Sequence, residues 1–88
     1  MVTVWKYELK VENTQWLDIP RGARFLSVDV QHDTPCLWVQ VDTDAVKDSV
    51  LIVTHGTGHP MKRADMQFVG SYQLHSGGFV GHVFIATA

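Results

Sequence analysis

The 88-residue chain contains one cysteine and only seven Lys and Arg together, and each scarcity excludes something. With Cys36 alone, no disulfide closes within the chain, so its core must hold the fold, as suits a reducing cytoplasm. Seven basic residues against nine acidic ones, a net charge of -2, leave no basic stripe along which duplex phosphates would lie. Duplex nucleic acid is therefore not an expected partner. A pocket for one small anion needs only two or three clustered cations and stays open. No apolar run approaches the about 20 residues with which a helix crosses a bilayer. Residues 1–6 lack both the basic and the apolar stretch of a secretory leader. The expectation is a cytoplasmic protein without a membrane partner.

What is present is alternation. Hydrophobic residues make up 45% of the chain and charged residues 18%, a balance that folds rather than stays disordered. Trp5, Tyr7, Leu9 and Val11 alternate with Lys6, Glu8, Lys10 and Glu12, the pattern of a half-buried strand over residues 4–12. A short strand follows at 15–19, with Leu17 and Ile19 on one side, closed by the turn Pro20-Arg21-Gly22. Residues 24–31 place Leu26, Val28 and Val30 inward and Phe25, Ser27 and Asp29 outward. Across the turn at 32–35 they pair with a strand at 36–42 that points Leu37, Val39 and Val41 inward. Residues 42–49 are polar and read as a loop or at most one helical turn, and 50–54 as a short central strand. A second hairpin joins 67–74 to 79–87 across His75-Ser76-Gly77-Gly78. The fold class this predicts is all-β: one domain over residues 1–88, a small antiparallel sandwich or barrel of about seven strands.

In order along the chain stand Tyr7-x-Leu9, Ile19-Pro20-x-Gly22, Leu26-Ser27-Val28, Pro35-Cys36-Leu37-Trp38, Gly56-Thr57-Gly58-His59-Pro60 and His82-Val83-Phe84. This ordered set resembles a family of small, functionally uncharacterised proteins encoded mainly by bacteriophages and prophages. The resemblance spans nearly the whole chain. It implies a phage origin, expression in the cytoplasm of a bacterial host, and no catalytic residue.

The segment richest in chemistry is Gly56-Thr57-Gly58-His59-Pro60, followed by Lys62 and Arg63. Glycines let backbone amides approach a ligand, and successive amides in a turn form an anion-binding nest that nearby cations complete. The plain alternative is a tight strand exit before Pro60, and the residues alone leave both open. Arg21, in the turn after the second strand, adds a planar fork suited to phosphate or to simple solvation. Trp38, outward on its strand, offers a stacking surface for a base, a subunit contact or ordinary packing. Five histidines include the pair His55 and His59, but a loop gives such a pair no common face and no thiolate or carboxylate set accompanies it. No metal or other cofactor is expected, and Cys36 reads as a buried structural thiol. The functions to be weighed are a non-catalytic trap for a small phosphorylated ligand, such as a host defence signalling nucleotide, and a protein-interaction module. A histidine-dependent metalloenzyme ranks behind both. Because so short a chain has a small core, a homo-oligomer is expected.

Overall fold

The computed structural model describes residues 1–86. Seven strands run in the order β1 (Val2–Glu8), β2 (Thr14–Pro20), β3 (Arg24–Gln31), β4 (Thr34–Asp42), β5 (Lys47–Gly56), β6 (Gln67–Leu74) and β7 (Phe79–Ala86), with a 3₁₀ turn at His75–Gly77 before the last. They form two antiparallel sheets, β1-β4-β3 and β2-β5-β7-β6. The molecule is thus an all-β sandwich. Thr87, expected at the end of the last strand, lies outside the described residues.

The alternation explains the core. Leu37, Val39 and Val41 of β4 meet Ile52 of β5 and Val83 and Ile85 of β7, all essentially without solvent contact. Leu9, Ile19, Val28 and Tyr72 close the cluster around them. Burying side chains of this size stabilises by about 1.5–3 kcal/mol each before conformational entropy is counted. Tyr72 lies flat across β7: a Cβ on Gly81 would fall 2.6 Å from its Cζ, so only a glycine lets the ring pass. The β3–β4 hairpin turns on His32 and Asp33, both at positive φ (52° and 63°), the backbone sign of a two-residue primed turn.

Three sequence expectations are corrected. β1 stops at Glu8 instead of reaching residue 12: Leu9 is buried as the alternation expects and its N–H still bonds the Pro35 carbonyl, but the Lys10 N–H and carbonyl bond the Gln15 side chain instead of a strand, and Val11 is exposed. In β3 the register shifts between Phe25 and Ser27. This bulge puts Phe25 inward opposite Val39 and Leu26 outward, the reverse of unbroken alternation. Third, β5 begins at Lys47, three residues before the expected start, since Lys47, Asp48 and Ser49 pair with Pro20, Ile19 and Asp18. The Lys47 ammonium stands 5.6 Å from the Trp5 ring centre, within cation–π range.

Candidate functional site

β5 and β6 both run antiparallel to β7, which lies between them, so they are parallel to each other. The chain leaving β5 at Gly56 must therefore travel back along the sheet to enter β6 at Gln67. One face of that sheet packs on the core, and residues 57–66 cross the other.

The crossing starts with a tight turn. The His59 N–H donates to the Gly56 carbonyl at 3.2 Å, with Gly58 at φ +83°, the third position of a turn that requires positive φ. The His59 ring then folds over Gly56, where a Cβ would sit 2.8 Å from Cε1. The His59 amide is thus bonded within the loop. Thr57 is engaged too: its Oγ1 lies 2.7 Å from Nε2 of His82, whose Nδ1 lies 2.7 Å from Ser71 Oγ. In a neutral imidazole one of these nitrogens donates and the other accepts.

Beneath the crossing segment is a groove of about 320 Å³. Its floor is apolar, formed by Leu51 and Val53 of β5 with Met66 at one end. His55, His59, Lys62 and Arg63 stand around it, and Asn13 and Thr14 close the β2 side. His55 and His82 are cross-strand partners on this face, and the His55 ring meets Phe84 edge-on at 5.8 Å. Two buried polar atoms of groove-lining residues lack hydrogen-bond partners, His55 Nε2 and Thr54 Oγ1. The cations are not equivalent. Arg63 forks onto Asp65 with two bonds of 3.1 Å, which keeps the guanidinium protonated and holds the Asp65 carboxyl below its usual range. Lys62 has no ion-pair partner among the described residues.

Of the candidates, His59, Lys62 and Arg63 line the groove; Gly56, Thr57 and Gly58 form the turn that leads into it without lining it, and the other two lie elsewhere. Arg21 lies at the opposite end of β5, with its Nε 2.7 Å from Asp48. Trp38 belongs to the other sheet, half-buried between its cross-strand neighbours Lys6 and Ser27. Leu51, Val53 and Thr14 line the groove without having been singled out from the sequence, and His55 was weighed there only as a metal ligand. A signal for Leu51 and Val53 existed, because residues 51, 53 and 55 share one face of an alternating strand. Among the described residues no group of three or more His, Cys, Asp or Glu is placed to hold a metal ion, and no helix is long and apolar enough to cross a membrane. Cys36 is buried, its thiol donating to the Thr34 carbonyl at 3.4 Å.

No curated protein and no solved structure matches the chain. A family match covers residues 1–88, and by it the chain belongs to the family described as Domain of unknown function (DUF7352).

Proposed function

We propose that this protein is a non-catalytic binding protein whose ligand is a small phosphorylated molecule, and that, in the phage setting the sequence resembles, it sequesters a host signalling nucleotide in the bacterial cytoplasm. The observation that carries this reading is the groove under residues 57–66. It combines an apolar floor, a cation without an ion-pair partner and a buried imidazole nitrogen without a hydrogen bond in about 320 Å³, at the lower end of the range for small-ligand sites. A planar ring lies on Leu51 and Val53, while its phosphate takes Lys62 at the rim and a bond from His59, and His55 Nε2 joins only once its cover is displaced. Arg63 joins only by sharing or leaving Asp65. The turn amide of His59 is already used, so the side chains, rather than a backbone nest, supply the charge recognition.

Calorimetric titration with cyclic and ADP-ribose-type nucleotides, with inorganic phosphate alongside, tests this. Lys62→Ala should weaken binding about 10- to 100-fold, the worth of one charge-assisted hydrogen bond. If no nucleotide binds the parent chain, or Lys62→Ala binds as tightly, the reading falls. The protein-interaction alternative then takes its place. It is supported by Trp16 and Phe68, 66% and 56% exposed on the same face of the sheet.

A further inference from the structure

The sandwich has four edge strands, of which two are blocked and a third is interrupted at its C-terminal end. β3 and β6 each contain a bulge, at Leu26 and Val69, and they close on one another, a Cβ on Gly70 falling 3.3 Å from that of Val28. β2 ends in Pro20, which has no N–H, and the Asp18 carbonyl on its outer edge accepts the Tyr7 hydroxyl at 3.4 Å. β1 has neither a bulge nor a proline.

The direction of β1's backbone groups follows from the two bonds that bracket it. The Met1 carbonyl accepts the Thr43 N–H, and the Leu9 N–H donates to the Pro35 carbonyl, both at 2.8 Å and both toward β4. In an antiparallel ladder every second residue turns both backbone groups to the same neighbour. Thr3, Trp5 and Tyr7 therefore bond β4, and Val2, Val4, Lys6 and Glu8 turn N–H and C=O out to the free edge. None of the described hydrogen bonds reaches those outward groups. Lys6, the charge that would guard such an edge, instead reaches across the sheet to the Gln31 side chain at 2.7 Å. Val2 and Val4 are 64% and 52% exposed beside it.

We infer that β1 pairs antiparallel with β1 of a second copy about a two-fold axis at Trp5, joining two three-stranded sheets into one of six. The backbone selects the register. Outward groups meet outward groups only when residues of even number face each other, and the alignment that uses all of them sets Val2 against the partner's Glu8 and Val4 against the partner's Lys6. Shifting by one step toward the C-terminus would oppose Lys6 to the partner's Lys6 and lose bonds. In the chosen register no like charges face each other, and Trp5 lies opposite the partner's Trp5, covering the side of the core that is only half-closed in one chain. This inference does not depend on the ligand proposed above.

Two measurements on the full chain test it. Light scattering at high micromolar concentration should give the mass of two chains. Val4→Pro, which removes an outward N–H and leaves the β4 ladder intact, should raise the dimer dissociation constant about a hundredfold or more, while Trp16→Ser leaves it unchanged. Residue-resolved amide exchange of the parent chain needs no variant. The Val4, Lys6 and Glu8 amides should be protected when concentrated and lose protection on dilution, while Thr3, Trp5 and Tyr7 stay protected throughout. A parent mass of one chain, dissociation by Trp16→Ser, or fast exchange at Val4 and Lys6 in the concentrated sample overturns the inference. If Val4→Pro fails to fold, the exchange pattern decides alone.

Discussion

Tyr72 concentrates the molecule's tensions in one residue. Its ring fills the space above Gly81 and is 2% exposed, yet its hydroxyl ends in the core without a hydrogen bond, as does that of Thr54. Burial pushes the phenol above its usual value of 10.0. A folded-state pKa above the unfolded one contributes stability that is complete below about pH 10 and is lost as the pH rises through the raised value. Tyr72→Phe keeps the packing and deletes the orphan hydroxyl. Urea unfolding at neutral pH should find this variant as stable as the parent or more so by up to about 1 kcal/mol, with a flatter loss of stability at alkaline pH. A loss of more than about 1 kcal/mol would mean that the hydroxyl has a partner such as a buried water.

Among the elements, β3 is where local pattern and tertiary pairing part. Arg24-Phe25-Leu26-Ser27 contains adjacent large hydrophobic residues, and alternation carried back from Val28 assigns Leu26 to the core. The bulge reverses this by adding one residue between the Phe25–Val39 and Ser27–Trp38 pairs, so the aromatic ring enters the sandwich and Leu26 is left 42% exposed. Phe25→Ala should then cost about 2–3 kcal/mol in urea unfolding, below the usual range for a fully buried Phe because the ring is only partly covered. Leu26→Ala should stay within about 0.5 kcal/mol. Equal losses would argue against the bulge. β5 makes the complementary point: its first three residues are polar, and their place in the sheet comes from the β2 ladder rather than from any apolar pattern.

For the whole molecule, the decisive feature is that β6 joins the sheet beyond β7, which sends residues 57–66 across an otherwise exposed face. The Arg63–Asp65 pair lies on that crossing, and it is pH-sensitive in a definite direction. Arg63 holds the Asp65 carboxyl below 3.8, so the pair's contribution is present above about that pH and is lost as the pH falls through the depressed value. Both groups face solvent, so the effect belongs to the crossing segment rather than to global stability. Carboxyl titration by NMR should place Asp65 below an ordinary aspartate, and Arg63→Ala should return it toward 3.8. An unchanged titration in that variant would show that the fork does not persist in solution.

The amino-acid order alone determined the β class, the two hairpins and the inward residues of β4, because period-two alternation and turn chemistry act between near neighbours. It also marked the Gly56–Arg63 segment, since glycines, a proline and cations in a row are visible without a fold. The bulge at Leu26, the start of β5 and the separation of Arg21 and Trp38 from the groove were decided by tertiary structure. Each depends on which distant strand lies alongside, and alternation has the same period whatever the neighbour. The groove itself belongs to this second group: its floor and its crossing segment meet only because β7, last in the chain, inserts between β5 and β6.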